Sequence, residues 1–262
     1  MNKKFPNIIV NNSNNGVARV VLNEPETYNA LSFITIKSLI NCFKNLDENK
    51  HTKVIVIEGS GKGFCAGHNL KEIKSLKSKA DYKKLFSLCS NLMMQIVNLK
   101  KPVIAKVHGA AFAAGCQLVA TCDLAISSND AFFATPGVNM GLFCSTPMVA
   151  VSRTIGKKQM MKMLLTGEKV DAAHAKEIGL INNYYDNSIL EEEVVKLAEL
   201  ISSKSNKVVK IGKKAFYKQL EMPLDKAYNY TSKVMTENMM LLDAKEGISA
   251  FIEKRKPKWK NK

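Results

Sequence analysis

The feature that most constrains this chain is a block that occurs twice. KVIVIE (53–58) is a β-branched run that ends in the glycine-rich GSGKGFCAG (59–67), and HNLKEIKSL (68–76) follows with helical spacing. PVIAKV (102–107) likewise runs into HGAAFAAG (108–115) and then CQLVATC (116–122). Each block reads as strand, glycine turn and helix. With a further strand expected over 16–22 and an amphipathic helix over 31–46, strands alternate with helices, the signature of an α/β fold with a largely parallel sheet. From about residue 157 the pattern becomes helical, over 157–165, 171–177, 190–202, 208–219 and 224–253, with Gly167 and Gly179 as breaks.

A chain of 262 residues buries a full core, and no low-complexity linker separates the sheet region from the helical annex. The expected division is a core over 1–200 and a helical region over 201–262. No apolar run approaches the roughly 18–20 residues of a membrane span. The start, MNKKFPNIIVNN, has neither an apolar h-region nor a small-residue cleavage site, so a cytoplasmic location is expected, or the mitochondrial matrix if a eukaryotic chain is truncated. Cys42, Cys65, Cys89, Cys116, Cys122 and Cys144 lie mostly in apolar stretches with no CxxC pair. They are expected as buried free thiols in a reducing compartment.

The formal charge of +16 calls for a polyanionic partner, whether nucleic acid, a membrane surface or a phosphate-rich cofactor. No nucleic-acid motif accompanies the lysines, which are spread along the chain and densest in EKRKPKWK (253–260). No His, Cys or carboxylate spacing indicates a metal.

Glycine turns between strand and helix aim backbone N–H groups at a ligand, and the helix dipole favours negative charge there. If the N–H groups of His68 and Ala114 converge, they can hold a carbonyl oxygen as it becomes an oxyanion; the other reading is two tight turns with no ligand. GSGKG has the spacing of neither a P-loop nor a GxGxxG fingerprint. Gln117 is a lone amide in an apolar stretch, either satisfied by a core neighbour or standing where a reaction needs it. His68 carries an imidazole suited to proton transfer, or packs. Asp123 reads as a cap or buried partner, His108 and His174 as structural, and His51 as exposed.

Several motifs in register, EGSGKGFCAGHNLK (58–71), KPVIAKVHG (101–109), GCQLVATCD (115–123), FFATPGVNMG (132–141), LTGEKVDAAHAKEIGL (165–180) and FIEKRKPKW (251–259), resemble the crotonase superfamily, the enoyl-CoA hydratase/isomerase family. GHNLKE and FCSTP place the resemblance nearest its hydratase-domain-containing branch. The resemblance implies a spiral of ββα units with a helical C-terminal region for trimerisation, assembled as a homotrimer or a dimer of trimers. It also implies a coenzyme A thioester as substrate or ligand, of the kind fatty acid metabolism supplies, with no other cofactor required. The thioester oxygen would take the N–H groups of His68 and Ala114, Ala66, His68 and Leu70 would lie on the adenine side, and Lys254 and Arg255 near the phosphates.

In hydratases of this family two glutamates act as acid and base, and they fall at Gln117 and Gly137. Both are replaced, and FCSTP (143–147) lacks the alternative carboxylate of many isomerases. An amide has no acid–base pKa near neutrality, so a hydratase-type lyase with weak or altered activity is expected. Decarboxylation of a malonyl-type thioester using His68, or binding without catalysis, are the other readings. Cys144 and Ser145 stand where relatives place reacting groups but have no evident base and read as filler. Gly137 also raises the question of a positive φ that would exclude glutamate.

Overall fold

The computed structural model describes residues 5–262. The chain opens with β1 (Ile8–Asn12), β2 (Val17–Leu22), α1 (Phe33–Glu48) and β3 (Val54–Gly59), followed by α2 (Leu70–Ser75) and α3 (Lys79–Asn98). Next come β4 (Val103–Val107), β5 (Ala110–Phe112), α4 (Ala114–Thr121), β6 (Leu124–Ser128) and β7 (Phe132–Ala134). A 3-10 helix over Pro136–Met140, the second after Pro25–Thr27, leads to α5 (Pro147–Val151), α6 (Lys157–Thr166), β8 (Val170–Asp171), α7 (Ala172–Glu177) and β9 (Asn183–Tyr185). Four helices end the chain: α8 (Asn187–Ser202), α9 (Asn206–Leu220), α10 (Leu224–Met239) and α11 (Leu242–Ile252).

One sheet has the order β1-β2-β3-β4-β6-β9, parallel except for the antiparallel β1–β2 pair. Its middle strands are covered on both sides, which is why they read as unbroken β-branched runs. Side chains alternate between two cores. Ile55 and Ile57 of β3 join the larger one, whereas Val54 and Val56 pack with Ile104, Ile126 and Leu190, Val194 and Ala198 of α8.

A second, smaller sheet (β5-β7-β8) takes the chain directly after β4 and β6. Isolated bridges pair Cys65 with Ala111 and Leu31 with His68, extending this layer to the preceding unit. Each glycine turn therefore contains a short second strand or bridge before its helix. That is the ββα repeat of the crotonase spiral. The sequence reads only one strand per block, because AAF (110–112) has neither length nor β-branching to mark the second.

Two expectations need correction. A helix was expected over 68–76 and nothing assigned beyond it, but the 20-residue α3 follows, opened by a capping box between Ser78 and Asp81. The single helix expected over 224–253 is two, because Leu241 is extended (ψ 147°) and starts a new helix. Asp243, 1% exposed, lies in the first turn of α11, where it accepts the Ser205 hydroxyl and the backbone N–H groups of Lys260 and Asn261. The break places that carboxylate on α9 and on the returning tail.

The annex is tied to the core through Asp123. Its carboxylate accepts the Val103 N–H (2.7 Å), the Lys213 ammonium (2.6 Å) and the Tyr217 hydroxyl (2.9 Å), so Asp123 is a structural partner as the sequence suggested, although half-buried rather than buried. All six cysteines are buried free thiols, as expected. Among the described residues no helix is long and apolar enough to cross a membrane.

Candidate active site

The loop around His68 is shaped by a segment far from it in sequence. Tyr28 and Asn29 are consecutive left-handed residues (φ 52° and 56°). Asn29 is buried, donating from Nδ2 to the Ser60 and Gly63 carbonyls (2.9 and 2.8 Å) and accepting from the Glu24 N–H at Oδ1. The same segment takes the Ala66 N–H on the Tyr28 carbonyl, while the Leu31 N–H donates to Gly67 and the Leu31 carbonyl accepts from Asn69. One splint thus holds both the glycine turn and the 66–69 loop. The sequence reading missed Asn29, whose work is entirely tertiary.

The second loop is laid against the first. Cys65 exchanges hydrogen bonds with Ala110 and Phe112, and the Ala113 N–H donates to the Ala134 carbonyl. Gly67 has φ 95°, and a Cβ there would stand 2.9 Å from the Phe112 carbonyl oxygen and 3.3 Å from the Ala114 nitrogen. A Cβ at Gly115 would collide with the Cys65 carbonyl oxygen. Glycine is required at both positions because backbone meets backbone. Ala113 takes φ 48°, ψ −114° to start α4, a region that costs a non-glycine residue on the order of 1–3 kcal/mol and that clusters at functional sites.

Neither the His68 N–H nor the Ala114 N–H has an acceptor among the described residues. The structure thus brings together the loops that carry them. The His68 ring approaches Phe86 edge-on, with centroids 5.6 Å apart, and its Nδ1 lies 3.3 Å from the Leu31 carbonyl oxygen. A carbonyl only accepts, so Nδ1 carries the proton and Nε2 presents a lone pair. Nε2 is shielded and unpartnered among the described residues, and burial holds the imidazole pKa below its ordinary value. The side chain is neutral at pH 7.

Gln117 lies in the first turns of α4, 4% exposed, and its Oε1 has no partner among the described residues. It is therefore not the satisfied core amide that one reading of the sequence allowed. The Thr135 hydroxyl, buried beside Ala134, is also unpartnered. Gly137 does not have positive φ, so the torsional reason considered for that glycine is wrong. Space is the reason instead: a Cβ at 137 would lie 2.9 Å from both Cys144 Sγ and the Leu142 carbonyl oxygen.

The remaining sequence candidates are placed as follows. Ala66 is half-buried and Leu70 exposed at the start of α2. Arg255, beyond α11, is bonded to Glu246 (2.7 and 3.1 Å) and to Glu253 (2.5 Å), whereas Lys254 has no ion pair among the described residues. His174 pairs with Glu177, the His108 ring reaches the Gly61 carbonyl, and His51 is exposed. Among the described residues no group of three His, Cys, Asp or Glu side chains can hold a metal ion.

Residues 12–262 match the family model described as enoyl-CoA hydratase/isomerase. The chain belongs to the enoyl-CoA hydratase/isomerase family. It is 44% identical over 254 residues to the mitochondrial enoyl-CoA hydratase domain-containing protein 3 of Rattus norvegicus, covering 97% of this chain and 85% of the relative. The crystal structure of an enoyl-CoA hydratase from Mycobacterium smegmatis superposes with TM-score 0.95 at 45% identity, covering 97% of this chain and 99% of the other. That of the human enoyl-CoA hydratase domain-containing protein 3 does so with TM-score 0.94 at 43% identity, covering 97% and 100%. The family and its fold thus agree with the resemblance carried by the motifs.

Proposed function

We propose that the protein binds acyl-CoA thioesters at the junction of the 65–68 loop and α4, and that it hydrates enoyl thioesters weakly or not at all. The observation that carries this reading is a contrast: two free backbone amides, His68 and Ala114, lie in loops packed against each other, while Gln117 and Gly137 offer no ionisable group. Amides at a helix start stabilise a thioester oxygen as negative charge develops on it, and such preorganised donors are typically worth about 2.7–4 kcal/mol each. Protonating and deprotonating water needs a group that exchanges protons near neutrality, and Gln117 has none.

A second reading is supported by the bare Nε2 of His68. In decarboxylation of a malonyl-type thioester, the C–C electron pair becomes an enolate held by the two amides as carbon dioxide leaves, and solvent returns a proton to the α-carbon. His68 Nδ1–H is committed to Leu31, so Nε2 can only accept, which suits a water or another donor and not the substrate carboxylate. On either reading Ala66 and Leu70 flank the adenine, and Lys254, more than the already paired Arg255, meets the phosphates. A third reading is binding without turnover. The reducing compartment is the cytoplasm or the mitochondrial matrix.

Residues 201–262 form the assembly region on this proposal. Leu224, Tyr228, Met235 and Phe251 are 74%, 70%, 61% and 86% exposed, more apolar surface than a solvated annex leaves open. Sedimentation should give a trimer or a dimer of trimers, and a stable monomer at micromolar concentration refutes the assembly.

A panel of enoyl-, malonyl- and methylmalonyl-CoA with product detection by mass separates the readings. Gain of water marks a hydratase, loss of carbon dioxide a decarboxylase, and no change a binder. Absence of acetyl-CoA binding in calorimetry at millimolar ligand overturns the acyl-CoA reading.

A further inference from the structure

The chain reverses at Gly141, which is left-handed (φ 72°). After the 3-10 turn over Pro136–Met140, the Leu142 N–H donates back to the Gly137 carbonyl at 2.9 Å. The returning strand of chain then lays Cys144 over Gly137. The Cys144 carbonyl accepts from the Met148 N–H (2.9 Å), which fixes it at the entry to α5. Its thiol is pushed up in pKa by burial, against a backbone hydrogen bond with Gly137, so it is a neutral SH group. The space above Gly137 is therefore filled by sulfur and by the Leu142 carbonyl oxygen.

We propose that Cys144 is a specificity-determining residue of this site: its Sγ takes the volume a side chain at 137 would need, and it shuts water out of the second acid–base position. This inference rests on the acyl-CoA reading above. It changes what the loss of that glutamate means. The position is not a vacancy that one substitution refills, because glycine at 137 and cysteine at 144 are a single packing unit. Gln117 on α4 and Thr135, two residues before Gly137, are left with unpartnered polar atoms, and on this reading the site keeps the amides that hold a thioester oxygen while losing the geometry for adding water. The substrate class is accordingly an acyl-CoA whose reaction forms or holds an enolate and does not require water on that face.

Two measurements test it. Melting of Gly137→Ala, Cys144→Ala and the double variant needs no ligand, so it stands even if acetyl-CoA does not bind. Gly137→Ala alone should lower Tm by about 5 °C, the usual size of an overpacking penalty. In the Cys144→Ala background the same change should cost less than half of that, with the Leu142 carbonyl accounting for the remainder. An equal fall in both backgrounds overturns the packing unit. The second measurement is crotonyl-CoA hydration in a Gln117→Glu background. Gly137→Glu should add nothing there, whereas Gly137→Glu together with Cys144→Gly should raise the rate at least about tenfold. A full gain from Gly137→Glu without touching Cys144, or no gain from the combination once its Tm is restored, overturns the exclusion of water by Cys144. Failure of wild-type protein to bind acetyl-CoA removes the functional half of the inference and leaves the melting cycle to decide the structural half.

Discussion

The two halves of the candidate site are built differently. At the junction of the 65–68 loop with α4, the proposed binding groups are backbone amides, positioned by glycines that pack against carbonyl oxygens and by the Asn29 splint. Around Gln117 and Gly137 the proposed reading concerns side chains, and the groups present there are an amide, a glycine and the Cys144 thiol packed against it. Function carried by backbone is bound to the fold, since losing it means losing the packing of Gly67 and Gly115. Side-chain function can be replaced without disturbing that packing. On the proposed function, this protein keeps a thioester-holding geometry while its acid–base chemistry differs.

The strongest way to break this contrast is Gly115→Ala. The new Cβ meets the Cys65 carbonyl, so a loss of about 3 kcal/mol, or about 10 °C in Tm, is expected. Acetyl-CoA binding should disappear with it in calorimetry. Unchanged melting would show that the junction is looser than backbone-on-backbone packing allows. Gln117→Glu acts on the other half and should be structurally mild. While Cys144 stays in place it should leave crotonyl-CoA hydration nearly unchanged, far short of the 10²–10⁴ of a fully positioned acid–base group, with acetyl-CoA affinity also unchanged. Loss of that affinity would mean that Gln117 belongs to the thioester-holding half.

The smallest effect sits in the first half, at the His68 side chain. Its folded pKa lies below the unfolded value of about 6.5, so the unfolded chain binds more protons across that interval. Stability from the buried neutral ring is fully present above that value and is lost as pH falls toward the folded pKa. The fall in Tm between about pH 7.5 and about pH 5.5 should be smaller in His68→Gln than in wild type. Equal falls would place the ring in solvent.

Much of the fold was legible because it depends on local pattern. Strands covered on both faces show as β-branched runs, and glycine turns mark where the chain leaves the sheet. The three-residue β5 was not legible, since its partners β7 and Cys65 lie elsewhere in the chain. Helix α3 carries its signal in Ser78 and Asp81, three residues apart, and in Leu85, Cys89, Leu92 and Ile96 along one face. In the site, His68, Ala114, Gln117 and Gly137 stood out through motifs in register. Asn29 did not, because its role is made by carbonyls some thirty residues away. The contact between Gly137 and Cys144 was hidden because it depends on a reversal at Gly141 that no residue pattern announces.

Asp123 has a consequence for how the molecule is made. Its cation, Lys213, comes 90 residues later in the chain, and Tyr217 later still. During synthesis the strands that carry the glycine loops emerge first, and the carboxylate beside them waits, already bonded to Val103 but without its counter-charge. Asp123 is only half-buried even in the finished fold, so on a nascent chain stopped short of α9 water takes the place of its cation. The anchorage of the annex to the sheet at Asp123 is thus complete only once α9 has been made.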